Sequence, residues 1–366
     1  MQAVKIGIVG GGLMGRETAS ALARWMHLLD HPVRPELVGV ADPSPTARDW
    51  FESHGIPTFA SVSELLGTDA EVIYAAVPHH LHESVYLEIL ASNRSLLAEK
   101  PFGIDLAAAE SITRAIGTNF VRVSSEFPFF PAVQRIVDWH RSGAFGQVLE
   151  VTSEFNHASD LDPSKPINWK RRVATCGEYG CLGDLGLHVC HVPFRLGYAP
   201  ENVFARLQKV FSERPDGKGG MTPCETWDNG LLSTTVGEIP VNFATRRISP
   251  GSTNQWLIRI TGTELSAEFS TQQPKTLRYL PFQPGNPQAW REESLGQGSV
   301  WPTITGSIFE FGFSDAILQM WAAFLAEYVG ETVAFGCVTP EEALASHRLF
   351  TAALASQASG MVQPVG

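Results

Sequence analysis

The first clear pattern in the chain is a short β-branched run, Val4 to Val9, apolar on both faces, that breaks into Gly10-Gly11-Gly12-Leu13-Met14-Gly15. A helical periodicity follows from Arg16 to about Leu29, and a second apolar run, Leu37 to Ala41, ends on Asp42. The alternation continues. A short helix is expected at Ser63-Glu64-Leu65-Leu66 with Ser63 as its cap, then a strand Glu71 to Val77 closed by Pro78, and a helix His82 to Ala91. A strand Ser95 to Ala98, a helix Leu106 to Ile116 and a strand Val121 to Ser125 complete the series. Strands apolar on both faces and separated by helices are those of a parallel sheet covered on both sides.

After Phe127-Pro128-Phe129-Phe130-Pro131 and a helix Ala132 to Arg141, the texture changes. Val148 to Phe155, Val203 to Phe211, Gly230 to Val236, Val241 to Arg246, Leu257 to Thr261, Glu264 to Ser270 and Thr276 to Leu280 read as strands between Gly, Pro and Asn turns. A long apolar helix is expected over Ile308 to Val329, its aromatics Phe311, Trp321, Phe324 and Tyr328 serving as core. Thr339 as N-cap and Pro340 at the first helical position open a last helix that runs to about Ser359. The expected fold is α/β: a doubly wound N-terminal domain over residues 1–127, and a C-terminal α/β domain with a large, strand-rich sheet over 128–366.

Three stretches carry candidate chemistry. Gly10, Gly12 and Gly15 have the spacing of a dinucleotide-binding turn, in which the first glycine makes the bend, the second admits a pyrophosphate and the third lets helix and strand touch. Asp42, 27 residues past Gly15 where about 20 is usual, can accept both ribose hydroxyls, which favours NAD; the two prolines of the His27 to Pro35 connection account for the excess length. Arg48 nearby could tolerate the extra phosphate of NADP. Ligands in open α/β sheets bind at the carboxyl ends of the strands. That rule makes Lys100, in Glu99-Lys100-Pro101, and the loop Pro78-His79-His80-Leu81-His82 candidates for one crevice. In the second half, Asp184 and His188 stand four residues apart on a helical pattern, on one face, where an aspartate can fix a histidine's tautomer and raise its basicity. Gly183 and Gly186 are expected to leave that face open to close approach.

Composition removes several alternatives. The chain has 366 residues, 44% hydrophobic and 18% charged, so it is globular, and the net charge of -11 argues against a nucleic-acid or anionic-membrane surface. No apolar run reaches membrane-spanning length, and a strand starting at Val4 leaves no room for a signal peptide, so a cytoplasmic protein is expected. Five cysteines, Cys176, Cys181, Cys190, Cys224 and Cys337, read as reduced thiols. Three of them lie near His188 and His191, but without the paired spacing of a structural zinc site, and no metal is expected.

The glycine loop, Asp42, the Pro78 loop with His82, Glu99-Lys100-Pro101 and Asp184-x-x-x-His188 together resemble the Gfo/Idh/MocA oxidoreductases, and the resemblance covers nearly the whole chain. It implies a Rossmann domain followed by an α/β domain whose mostly antiparallel sheet builds homodimers or homotetramers. It implies that Gly10, Gly12, Leu13, Met14, Gly15, Asp42, Pro78, His79, His82, Glu99 and Lys100 hold NAD, or NADP. Substrate contacts fall to Lys100, Trp169, Arg171, Asp184 and His188. By the same resemblance Lys100 polarises or relays a proton at the reacting oxygen, Asp184 holds substrate and orients the histidine, and His188 is the general base.

The implied activity is hydride transfer between nicotinamide and a secondary hydroxyl of a sugar, inositol or related polyol. A glycosidase or lyase that retains NAD and oxidises transiently would keep the same residues; a non-catalytic NAD-binding sensor would be expected to lose some of them. Trp169, Trp227, Trp256, Trp290 and Trp301 are candidates for stacking on a sugar ring. Lys165, Lys170, Arg171 and Arg172 are candidate anion contacts, of which arginine makes the better fork. The chain departs from the family pattern at His79, at Ser124-Ser125-Glu126-Phe127-Pro128 and at Tyr179-Gly180, places that lie near cofactor or substrate in the family. The resemblance therefore names a reaction class and not a particular sugar.

Overall fold

A computed structural model describes residues 2–296, 298–306 and 308–366. By internal packing these fall into two compact units. The first takes in Met1–Gly103, Ala107–Phe129 and Gln297–Ala343, leaving aside the undescribed residues among them; the second takes in Ile104–Leu106, Phe130–Gly296 and Leu344–Gly366.

The first unit is built on six strands: β1 (Gln2–Val9), β2 (Val33–Ala41), β3 (Thr58–Phe59), β4 (Val72–Ala75), β5 (Ser95–Ala98) and β6 (Val121–Val123). They pair in the order β3-β2-β1-β4-β5-β6, every pair parallel. Burial explains the uninterrupted apolar runs: β4 is buried at all four positions, and Val4, Ile6 and Ile8 of β1 are fully covered. The strand order reverses between β1 and β4. The carboxyl ends of the strands at that crevice carry the glycine loop, Asp42, the 76–78 turn and the Glu99-Lys100 pair.

The sequence division at 127/128 and the packing of the structure differ in one segment. Residues 297–343 pack with the first unit. The reason is the helix Phe313–Tyr328, whose face needs a sheet to cover it: Trp321 meets Tyr74 of β4 with ring centres 5.7 Å apart, and Phe324 meets Phe120 at 5.4 Å. Val123 at the end of β6 also donates its N–H to the Val338 carbonyl at 2.9 Å.

Some boundaries shift for local reasons. The first helix is Leu13–Ala23 and is followed by a 3-10 turn, Trp25–His27, because the Trp25 indole turns to donate to the Val33 carbonyl at 2.7 Å. The short helix is Val62–Leu66, and its cap is Ser61, whose hydroxyl accepts the Glu64 N–H, rather than Ser63. The apolar helix expected from Ile308 begins at Phe313, where the Asp315 carboxylate accepts the Gly312 N–H at 3.0 Å; Ile308 and Phe309 before it are exposed. The last helix, Pro340–Ser359, opens as expected. Thr339 and Glu342 exchange the reciprocal bonds of a capping box.

The second unit contains β7 (Val148–His157), β8 (Asn202–Gln208), β9 (Glu213–Pro215), β10 (Met221–Pro223), β11 (Asn229–Val236), β12 (Ile239–Arg246), β13 (Asn254–Gly262), β14 (Leu265–Ser270), β15 (Thr276–Pro281), β16 (Arg291–Ser294) and β17 (Gln363–Pro364). Nine of them form one sheet, in the order β16-β15-β14-β13-β7-β12-β11-β8-β17, while β9 and β10 pair separately. The sheet is antiparallel except where β12 runs parallel to β7. One face is covered by the helix Cys181–Arg195, which is buried along nearly its whole length and packs on β7 and β12. β9, β10, β16 and β17 have no counterpart in the sequence reading, since runs of two to four residues leave no readable alternation.

Candidate functional site

In the first unit, close approach forces the glycines. Gly10 has φ +101°, and a Cβ there would lie 2.3 Å from the Ala76 carbonyl oxygen; a Cβ on Gly15 would lie 2.0 Å from that of Gly10. These two contacts press the loop against β4 and the helix Leu13–Ala23 against the loop. Gly12 is different, since nothing lies within 4 Å of the position its Cβ would take. That opening at a helix N-terminus suits a phosphate, which needs backbone N–H groups and space rather than a side chain. Leu13 beside it is 74% exposed, and Met14 is half-buried. The Asp42 carboxylate is fixed at the end of β2 by two backbone donors, the Gly11 N–H at 2.7 Å and the Ser44 N–H at 2.8 Å. Arg48 donates to the Asp42 carbonyl at 2.6 Å.

The next two strand ends are tied together from beneath. His82 is wholly buried, its ring nitrogens 2.6 Å from the Pro101 carbonyl and 2.8 Å from that of Val77. Burial pushes its imidazole down to about 4, against the pull of those two carbonyls. A neutral ring donates to one of them. His82 thus joins the 77–78 turn to the 100–101 turn, and His79 is buried next to it with ring centres 5.5 Å apart. Glu99 is also inside: its carboxylate accepts the Tyr74 and Ser124 hydroxyls, each at 2.6 Å, and the Lys100 N–H at 3.2 Å. Lys100 itself is half-buried, and the Lys100–Pro101 peptide is cis.

In the second unit, Gly180 (φ +57°) starts the helix Cys181–Arg195 at a place where a Cβ would lie 2.6 Å from the Trp227 nitrogen. Asp184 and His188 follow on its buried length. The His188 ring stands edge-on to Phe155 at 5.4 Å, and its carbonyl accepts the Trp256 indole N–H at 2.9 Å. Asp184 accepts Lys170 Nζ at 2.9 Å and is forked by Arg247, Nε at 3.3 Å and Nη2 at 3.2 Å. Arg247 is fully buried; although burial works against its charge, Asp184 foremost, with Cys176 and Cys181, holds the guanidinium above its ordinary value. At Gly186 the close approach expected there is made by Phe350, whose ring would lie 2.3 Å from a Cβ.

Several sequence candidates are placed elsewhere. Arg171, expected as an anion clamp, is 1% exposed and its guanidinium is committed to Asp228 and to Asp160, at 2.5 Å in the second pair. Two carboxylates already neutralise it. Its neighbour Lys170 instead joins Arg247 at Asp184, with a side chain 38% exposed and the Trp169 ring 5.7 Å from its ammonium. Trp169 is half-buried there, whereas Trp256 is core. Sequence reasoning passed over Arg247, 63 residues from Asp184 with no periodicity to link them.

Cys181 and Cys190 are held as thiols, burial pushing the first up to about 11 and the second well above its usual value. Among the described residues no group of three or more His, Cys, Asp or Glu side chains is placed to hold a metal ion, and no helix is long and apolar enough to cross a membrane.

Known proteins share both halves of this arrangement. A family model described as "Oxidoreductase family, NAD-binding Rossmann fold" matches residues 4–127, and one described as "GFO/IDH/MocA C-terminal domain" matches residues 133–268. Levoglucosan dehydrogenase of Pseudarthrobacter phenanthrenivorans is 24% identical over 308 residues, 76% of each chain. Trans-1,2-dihydrobenzene-1,2-diol dehydrogenase of Bos taurus is 30% identical over 252 residues, 64% of this chain and 71% of that one. A levoglucosan dehydrogenase structure in complex with NADH superposes over the full length of both chains with a TM-score of 0.91 at 20% identity, a likeness of fold. With a glycine loop and terminal carboxylate on one unit, an Asp/His helix under a large sheet on the other, and both halves matched by the same family, the chain belongs to the Gfo/Idh/MocA oxidoreductases.

Proposed function

We propose that this protein is an NAD-dependent dehydrogenase that oxidises a secondary hydroxyl of a sugar or related polyol. The observation that carries the reading is the first unit's dinucleotide cradle: Gly10 and Gly15 pressed into backbone contact, Gly12 open, and Asp42 fixed at the end of β2. The exposed Leu13 supplies an apolar surface beside the phosphate position that a bound cofactor would cover. Bound there, nicotinamide supplies the hydride acceptor.

The remaining work falls to side chains. His188 takes the hydroxyl proton as the carbon–oxygen double bond forms, Lys100 sets positive charge at that oxygen, and Asp184 with Lys170 binds neighbouring hydroxyls. Lys170, and not Arg171, is the cation assigned to substrate, because Arg171 is consumed by Asp160 and Asp228. Pro78, His79, His82 and Glu99 shape the cofactor side of the crevice, His82 and Glu99 from beneath. The names of the relatives, levoglucosan dehydrogenase and glucose-6-phosphate 3-dehydrogenase of Bacillus subtilis among them, support a carbohydrate.

The protein is further assigned to the cytoplasm, in keeping with five buried cysteines outside any disulfide. Residues 128–296 and the final helix are assigned to substrate binding and oligomerisation, as a homodimer or homotetramer. The nine-stranded sheet supports this with a recess of about 690 Å³ lined by Leu149, Arg259, Glu268, Arg278, Phe282 and Trp290, whose apolar members are exposed.

The test is NADH absorbance with NAD or NADP and a panel of levoglucosan, hexoses, inositols and sugar acids. Substrate-dependent NADH formation is expected; bond cleavage without net NADH would overturn the dehydrogenase reading in favour of transient oxidation. Asp42→Ala should weaken NAD by about ten-fold, the scale of one hydrogen bond to a charged group, and relax discrimination against NADP. Titration of both dinucleotides by fluorescence quenching checks this, and an unchanged preference would reduce Asp42 to a turn residue.

A further inference from the structure

The main chain on either side of Lys100 is held by one helix, His82–Ala91. Two of its buried side chains, His82 and Tyr86, stand four residues apart and therefore share a face. The Tyr86 hydroxyl donates to the Glu99 carbonyl at 2.9 Å, and the His82 Nδ1 lies 2.6 Å from the Pro101 carbonyl, the shorter of its two carbonyl contacts. Glu99 and Pro101 are the residues immediately before and after Lys100. The two rings also support each other. Their centres are 4.9 Å apart with planes inclined by 27°, and Phe102 lies beyond Tyr86 at 6.2 Å.

The Tyr86 hydroxyl is committed to this contact. Burial, with the Glu99 charge adding to it, pushes the phenol well above its usual range, so it keeps its proton and remains a donor. Its other acceptor within reach, the Ala75 carbonyl, is 3.5 Å away and already takes the Glu99 N–H at 3.2 Å. A phenylalanine would fill the same space, so what the hydroxyl adds is a hold on one carbonyl.

We propose that Tyr86 is a positioning residue for the reaction: with His82 it clamps the main chain on both flanks of Lys100 and fixes the direction in which the lysine side chain leaves the turn. A lysine ammonium rides on a flexible four-carbon stem, so the backbone beneath it decides which volume it can sweep. A shift of about 1 Å at a reacting group can cost about 10²-fold in rate. The Tyr74 and Ser124 hydroxyls hold the Glu99 carboxylate from neighbouring strands; Tyr86 holds the carbonyl of the same residue from the helix.

The proposal rests on the role given to Lys100 in the dehydrogenase reading, and one arm of its test needs no turnover. Tyr86→Phe keeps the ring against His82 and Phe102 and removes the hydroxyl alone. In native-state hydrogen exchange of the full-length protein, read by mass spectrometry, peptides covering 99–102 should exchange about five-fold faster in the variant, the scale of one neutral hydrogen bond. Peptides of β1 and β2 should keep the wild-type rate. Equal exchange at 99–102 overturns the proposal, and so does a rise shared by β1 and β2, which marks a general loosening. Should Tyr86→Phe fail to fold, His82→Phe releases the Pro101 flank and must raise exchange in the same peptides; without that rise the clamp is refuted.

The second arm uses the best substrate of the panel. Tyr86→Phe should lower kcat by about five- to ten-fold while KM and NADH affinity stay within about two-fold. Made in the Lys100→Ala protein, the same substitution should change the residual rate by less than about two-fold, because a residue that acts through Lys100 then has nothing to position. An equal loss in both backgrounds makes Tyr86 a structural residue and overturns the proposal. A panel without turnover, beside a local rise in exchange at 99–102, would count against the dehydrogenase reading alone.

Discussion

Lys100→Ala is expected to lower kcat/KM by about 10²- to 10⁴-fold, the range for a positioned acid/base group, while NADH affinity stays within a few-fold. The separation follows from where the groups sit. In the proposed reading the dinucleotide is held by backbone at Gly10 to Gly15 and by Asp42, at the ends of β1 and β2, whereas Lys100 comes from the end of β5. The supports beneath Lys100 do not depend on its side chain, because Glu99 keeps its bonds to Tyr74 and Ser124, and His82 keeps its place between the Val77 and Pro101 carbonyls. Initial rates with the best substrate of the panel, set beside NADH titration by fluorescence quenching, give the two numbers. Wild-type turnover in the variant would remove Lys100 from the chemistry.

Arg247→Met should cost about 3–5 kcal/mol of stability, the scale for stripping one partner from a buried ion pair. Asp184 is 4% exposed and would retain one cation, Lys170, whose own side chain is 38% exposed and hence partly in water. The guanidinium also donates to the carbonyls of Lys170 and Gly180, and its loss leaves these to the Thr226 hydroxyl and the Asp184 N–H. Urea unfolding measures the loss, and adding Asp184→Asn should recover a large part of it by removing the stranded charge. A loss below about 1 kcal/mol, the surface-pair range, would show that Arg247 does not sustain Asp184.

Five of the six strands of the first sheet, all but the two-residue β3, were legible as apolar runs bounded by helix signals, and the glycine loop because its three glycines follow directly on a strand and are followed in turn by a helix and a strand ending in Asp42. Asp184 and His188 were legible as neighbours by helical arithmetic. Their partners were not. Lys170 and Arg247 reach Asp184 from a 3-10 turn and from the residue after β12, and no spacing rule connects positions brought together by a nine-stranded sheet. Arg171 shows the converse: as a sequence letter it is a free cation, and only the fold reveals that Asp160 and Asp228 have claimed it. Gly186 was legible as a point of close approach, but not that the approaching group is Phe350, more than a hundred and fifty residues on.

The helix Phe313–Tyr328 has a bearing on synthesis. It closes the core of the nucleotide-binding sheet, with Trp321 against Tyr74 and Phe324 against Phe120, yet it is translated almost two hundred residues after β6. Emerging at about 5–20 residues per second, the six strands stay open on that side until the chain is nearly finished. The apolar surface around Tyr74 and Phe120 must meanwhile be shielded by chaperones or by partial collapse. A fragment cut at residue 127, where the sequence pattern invites the knife, keeps the whole glycine loop and Asp42 and lacks the lid of its own core.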